Sequence, residues 1–141
     1  MKLKHILALL VIVIAVGAGI GLKMFFKPHA NITKIKTEFK VEAASLIKEF
    51  ETDENSATGK YSEKAVEISG NLAAKNKLMN GTDVLILEDE MQGISCQLDS
   101  SWAAKNQALI SNLQQGSKIT IKGICKGYLL EIKVSPAIII Q

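Results

Sequence analysis

Hydrophobic and polar positions change period several times along the chain, and each change marks an element. Ile6 to Leu22 (ILALLVIVIAVGAGIGL) carries no charge, Met24-Phe25-Phe26 prolongs the apolar run past Lys23, and Lys27-Pro28 closes it. As a helix the uncharged part spans roughly 25 Å, and the prolongation brings it to the thickness of a hydrocarbon core, about 30 Å. Asn31 to Lys40 (NITKIKTEFK) is polar, lysine-bearing and without a clear period. Val41 to Tyr61 predicts a helix: Ala43, Leu46, Ile47 and Phe50 fall on one stripe, and Ala57 and Tyr61 continue it after a break. Lys48, Glu49, Glu51 and Asp53 take its solvated side.

From Lys64 the period becomes two. Val66 and Ile68 point one way, Glu67 and Ser69 the other. Asn80-Gly81 signals a hairpin through a type I′ turn, whose central residues both need positive φ. Thr82 to Leu87 (TDVLIL) is the returning strand, and Ile94 to Leu98 a third, with Ile94, Cys96 and Leu98 inward. A helical stripe of Trp102, Leu109, Ile110 and Leu113 follows, with Asp99-Ser100-Ser101 as cap candidates and Gly116 as its stop. Ser117 to Cys125 is a fourth strand, Lys126-Gly127 a turn, and Leu129 to Val134 a fifth strand. Ile138 to Ile140 continues it beyond a break at Pro136.

Three strands, a helix and two strands (β-β-β-α-β-β) is the order of a five-stranded OB-fold Greek-key barrel. The expected class is therefore mainly β with flanking helices, the barrel being preceded by an extra α-helix and an N-terminal transmembrane helix. An open α+β sheet is the alternative. Closure is favoured because every strand has an apolar face and about 75 residues must form a core without leaving edges. The domain plan has a basic segment at 1–5, a transmembrane helix or signal anchor at 6–26, a polar spacer at 27–40, and the OB-fold domain at 41–141 with its leading helix at 41–61.

Composition changes the picture mainly by its distribution. Of 141 residues 48% are apolar, the formal charge is +3, and all 17 basic residues are lysine. Lys2, Lys4, Lys23 and Lys27 flank the apolar run, which leaves 17 − 4 = 13 lysines against 14 acids, a net of −1 for the rest. A strongly basic domain is excluded. The apolar run has two readings. It is an uncleaved anchor with the N-terminus inside and the domain outside, or a signal peptide cleaved near Ala15 to Gly19. The run continues to Phe26, which favours the anchor, and no cysteine follows that could carry a lipid. Gly17 and Gly21 form one GxxxG, a weak pairing signal. Asn31-Ile32-Thr33 matches a glycosylation acceptor, a pattern frequent by chance.

The positions Ala43, Leu46, Glu49-Phe50, Asn55, Ala57, Tyr61, Lys64, Val66, Ile68 and Gly70, then Ile94-Ser95-Cys96, then Leu113, Gly116, Ile119-Thr120-Ile121-Lys122-Gly123, Cys125 and Gly127 form a wider pattern. It resembles the tRNA-anticodon-like (tRNA_anti-like) OB-fold family of small bacterial envelope proteins. The likeness covers Val41 to the C-terminus. It implies an OB barrel, often behind a signal or membrane segment, and says nothing by itself about tRNA. Many members carry a third cysteine near the end of the last strand, where this chain has Ala137.

Candidate chemistry is sparse. Cys96 and Cys125 both lie on inward parity, as buried inert thiols or as a disulfide across the barrel in an oxidising compartment. No zinc site is expected, because two thiols with both histidines (His5 and His29) beside the membrane segment do not make four ligands. Glu88-Asp89-Glu90 is a solvated turn without the DxDxDG pattern of a calcium loop. The folded part holds no histidine, so no Ser–His or Cys–His pair forms there, and no cofactor is expected. OB barrels bind across their second and third strands. By that analogy the candidate face comprises Asp83, Leu85, Glu88, Asp89, Glu90, Ser95 and Gln97. The two strands lack aromatic residues and the domain lacks arginine, which argues against nucleic acid. A lysine patch at Lys118, Lys122, Lys126 and Lys133 is an ordinary solvated strand face. The expectation is a non-enzymatic binding or assembly module. It is held in the inner membrane by one span, with a periplasmic C-terminal domain, and is partnered by the membrane and by another envelope protein. Secretion after cleavage is the alternative location, and a nucleic-acid or oligosaccharide binder the alternative function.

Overall fold

The computed structural model describes residues 3–25 and 31–140. The Lys27-Pro28 stop, Phe26 and His29 lie outside the described residues. The chain forms two compact units, 1–31 and 32–141. The first is one helix, α1 (Leu3–Phe25), among whose described residues Lys4–Gly21 is long and apolar enough to cross a membrane.

The second unit contains the strands β1 (Phe39–Glu42), β2 (Ala65–Lys77), β3 (Asp83–Leu87), β4 (Ile94–Leu98), β5 (Lys118–Leu129) and β6 (Glu131–Ile139). β2 is long enough to serve two partners. Its first half pairs antiparallel with β5, from Ala65↔Ile124 to Asn71↔Lys118, and its second half with β3, from Leu72↔Leu87 to Lys77↔Asp83. β3 pairs with β4, β4 runs parallel to β6, and β6 returns antiparallel to β5. The circuit β2-β3-β4-β6-β5-β2 is closed, so no ladder edge in it stays open. This is the five-stranded barrel that the alternating sequence predicts. Its interior is filled by the inward set, including Val66, Ile68, Leu85, Leu87, Ile94 and Ile121.

The expected helix over 41–61 is corrected to a strand and two helices, α2 (Ala43–Thr52) and α3 (Glu54–Tyr61). Phe39 to Glu42 alternates over four residues and adds β1 in parallel to the barrel, with Phe39↔Val66 and Val41↔Ile68. Charge holds it there: Lys40 reaches Glu67 at 3.0 Å and Glu42 reaches Lys118 at 3.3 Å. The helical stripe breaks at Asp53, which is extended and accepts a hydrogen bond from the Ser56 amide at 3.0 Å, capping α3. α2 buries Ala43, Leu46 and Phe50, and α3 buries Ala57 and Tyr61. Rings join this layer to the barrel, with Phe50 stacked on Tyr61 and on Tyr128, each at 6.2 Å.

Two turns and the course of the last strand also differ from expectation. At Asn80-Gly81 only Gly81 has positive φ (83°). Its amide donates to Leu78 at 2.8 Å and the Leu78 amide to Thr82 at 2.9 Å, making a three-residue loop with a left-handed glycine instead of type I′. Lys126-Gly127 is no turn. Gly127 (φ 94°) is a bulge within β5, and the chain reverses at Leu130 (φ 68°). β6 passes through Pro136, where a register shift absorbs the missing donor and the Ser135–Pro136 bond is cis. The helical segment after β4 is two short helices, α4 (Ser100–Lys105) and α5 (Gln107–Asn112). Asp99 caps α4 by accepting from the Trp102 amide at 2.8 Å, as its position predicts.

Candidate binding face

β3 and β4 are the barrel's second and third strands, and pairing fixes which side chains share a face. Leu85, Leu87, Ile94, Cys96 and Leu98 belong to the core cluster. The other parity places Val84 opposite Gln97 and Ile86 opposite Ser95. Register continues this outer row in both directions, from Ala74 through Ile86 and Ser95 to Lys133. The face is a nearly buried aliphatic floor (Val84, Ile86) beside two half-buried polar side chains, Ser95 and Gln97. Ser135 Oγ lies 3.5 Å from the Gln97 side-chain oxygen. No carboxylate, arginine or aromatic ring belongs to these positions.

The expected face is thereby divided. Ser95 and Gln97 lie on it. Leu85 does not: at 1% exposure it points into the barrel, a correction of its expected place. Asp83 shares the parity of Leu85 and is buried, binding Gln107 Nε2 at 3.1 Å and Lys77 Nζ at 3.2 Å. Val84 and Ile86 were missed because TDVLIL is apolar on both parities, and an acid at the strand's start suggested the wrong outward side.

Glu88, Asp89 and Glu90 form the β3–β4 turn. Glu88 accepts from the Asn71 amide at 2.9 Å, and Glu90 from Gln115 Nε2 at 3.4 Å. Asp89 accepts from the amides of Met91 (2.8 Å) and Gln92 (2.9 Å), which hold its carboxyl below the usual range. None of the three enters an ion pair among the described residues. A cavity of about 510 Å³ opens beside them, lined by Leu72, Met91 and Gly116 among others.

Two lysines of β5 carry ion pairs, and Lys122 acts on Glu67 only through its charge. Lys118 is paired with Glu42 and Lys126 with Glu63 at 2.8 Å, while Lys64 on the neighbouring approach meets Glu38 at 3.4 Å. Lys75 serves the fold: its ammonium donates to the carbonyls of Ile110 (3.3 Å), Ser111 (3.1 Å) and Leu113 (2.7 Å), the free end of α5.

Cys96 and Cys125 are buried free thiols, and the disulfide weighed as the second reading is not formed. Burial raises both thiols above their ordinary range; for Cys96 the neighbouring Cys125 adds to it. Among the described residues no group of three or more His, Cys, Asp or Glu is placed to hold a metal. A second recess, about 500 Å³ between α2 and α3, escaped sequence reasoning. There Lys60 donates to Glu49 at 2.9 Å and stands 4.6 Å from the Tyr61 ring centre, and it draws the Glu49 carboxyl down.

Among solved structures the chain is similar to a lipoprotein of Klebsiella pneumoniae for which nucleic-acid binding is proposed. The TM-score is 0.54 at 16% identity, over 72% of this chain and 91% of that one. It is also similar to asparaginyl-tRNA synthetase from Pyrococcus horikoshii (TM-score 0.43, 16% identity), over 58% of this chain but 21% of the enzyme. At these identities the likeness concerns the fold alone. No curated protein matches the chain. The tRNA_anti-like family model matches residues 1–135, in keeping with the barrel and with the motif glycines and cysteines, and the chain belongs to the tRNA_anti-like family.

Proposed function

We propose that this protein is a membrane-anchored, extracytoplasmic OB-fold module that binds or assembles with another envelope protein and catalyses no reaction. The observation that carries this reading is the neutral β3–β4 face. Single-stranded nucleic acid is held by stacking platforms beside a positive groove. This face presents the half-buried Ser95 and Gln97 over the buried Val84 and Ile86, with Lys133 as the cation in its row. The lysines of β5 at 118 and 126 are neutralised by carboxylates. The hydroxyl of Ser95 and the amide of Gln97 suit the backbone of a protein segment. α1 supports the anchor, since its 23 residues reach about 35 Å as a helix, enough for a hydrocarbon core. An envelope location is also supported by the lipoprotein of Klebsiella pneumoniae that shares the fold.

The test uses the full-length protein in native membranes with a photocrosslinking residue at Gln97. Fluorescence anisotropy with single-stranded oligo(U) is run on the detergent-purified protein. A discrete protein adduct that survives nuclease, with no saturable RNA binding at low salt, is the expected result. Saturable RNA binding that weakens steeply with salt, without a protein adduct, would replace this reading by a nucleic-acid one.

A further inference from the structure

The β5–β6 hairpin extends past the first residue of β2. β2 begins at Ala65, opposite Ile124; Cys125 still exchanges backbone hydrogen bonds with Lys64 and Glu63, and the chain runs on to Leu129 before reversing. The reversal displays apolar side chains: Leu129 is 73% and Leu130 90% exposed, and Tyr128 is exposed beside them. Leu130 holds φ at 68°, a left-handed conformation natural to glycine and unfavourable for a branched side chain. Glycine would make this turn without strain, so the leucine is there at a conformational cost that its fold contacts do not offset.

We propose that the tip Tyr128-Leu129-Leu130 inserts into the interfacial layer of the bilayer that holds α1, docking the domain on the membrane surface. The inference rests on the reading of α1 as an anchor. Three observations favour a bilayer over a protein. Leu129 and Leu130 stand out in solvent at the reversal of a hairpin, a placement that enters a deformable medium without a matching pocket. Its composition, one tyrosine followed by two leucines, combines an amphipathic ring with aliphatic bulk, as groups at a membrane interface do. Only six residues, 26–31, lie between α1 and the folded unit that begins at Ile32, at most about 20 Å of chain. Lys133, exposed and opposite Gly127, stands behind the tip where anionic headgroups would lie, while Glu131 beside it is half-buried. By connectivity the β2–β3 loop, with exposed Leu78 and Met79, leaves the opposite end of the barrel. It therefore faces away from a bilayer docked at Leu129.

The experiment places an environment-sensitive fluorophore at Leu129→Cys, and in a separate protein at Met79→Cys. Buried Cys96 and Cys125 are spared under native labelling. Each full-length protein is reconstituted into vesicles of phosphatidylethanolamine and phosphatidylglycerol, with and without a lipid-borne doxyl quencher. The expected result is a blue-shifted label at 129 quenched at least about twofold by doxyl lipid, and an aqueous, unquenched label at 79. Adding Leu130→Gly, which relieves the strained turn but removes the side chain, should lessen the quenching at 129 without lowering thermal stability. Equal aqueous emission at 129 and 79 overturns the proposal, as does a blue shift at 129 that lipid quencher leaves untouched, the sign of a protein occupant. Failure of the protein to float with vesicles after carbonate extraction shows that the anchor itself is absent. It removes the proposal by a separate and recognisable route.

Discussion

Cys96 and Cys125 flank one residue: both are opposite Val134, Cys96 across the parallel β4–β6 pair and Cys125 across the antiparallel β5–β6 pair. A whole strand therefore lies between the thiols. Two strand spacings of about 4.8 Å separate the backbones, beyond the roughly 7 Å that a disulfide can bridge. The chain is accordingly expected to keep both thiols reduced even after exposure to an oxidant. The folded protein should resist iodoacetamide at neutral pH and gain two adducts only when unfolded, since raised, buried thiols supply little thiolate. Intact-mass spectrometry checks this. Loss of two hydrogens from the native protein would show that the barrel distorts enough to join them.

The motif glycines act through close approach. A Cβ at Gly70 would stand 2.6 Å from the Cβ of Ala43 at the start of α2, and one at Gly123 would stand 2.4 Å from Val134 Cγ1 and 2.9 Å from the Pro136 carbonyl. Neither strand can withdraw without breaking its ladder. Gly70→Ala and Gly123→Ala are each expected to destabilise the domain by about 1–3 kcal/mol, measured by denaturant unfolding. Gly59, at which an added Cβ meets nothing within 4 Å, is the control, and Gly59→Ala should not destabilise.

Lys75 closes the C-terminal end of α5 through three carbonyls. Lys75→Met keeps most of the aliphatic stem and loses the donors, at an expected cost of about 1–2 kcal/mol. Hydrogen exchange should rise first in Gln107–Asn112 and leave β2 protected. Uniform loss of protection would mean that Lys75 stabilises the barrel itself.

Glu67 accepts from the Thr37 hydroxyl and is paired with Lys40, and these two hold its carboxyl below the ordinary value against the opposing effect of burial. A lowered folded-state value means that the contribution is present above the unfolded value of about 4.3 and fades as pH falls through and below it. The gap in melting temperature between the wild type and Glu67→Gln should therefore be full near neutral pH and narrow in acid. A gap that widens in acid would contradict the assignment.

The barrel was legible because its strands alternate strictly where one face is buried: Val66 and Ile68, Ile94 to Leu98, Ile119 and Ile121 all lie as their period predicts. What escaped was structure held by something other than periodicity. β1 has four residues and is fixed by pairing and by Lys40 and Glu42. The second half of β2, Asn71 to Lys77, is polar and belongs to the sheet through its ladder to β3. Gly127 carries the signature of a turn but serves as a bulge, and the true reversal at Leu130 bears a residue that turns disfavour. At the candidate face Ser95 and Gln97 were legible because β4 alternates cleanly. Val84 and Ile86 were not, because β3 is buried along its whole length.

The most direct measurement of the central claim is protease treatment of intact spheroplasts, followed by detection of the segment from Val41 to Gln141. A membrane-anchored module that works outside the cytoplasm predicts digestion of that segment without lysis. Protection until the cells are lysed would place the domain in the cytoplasm and contradict the account.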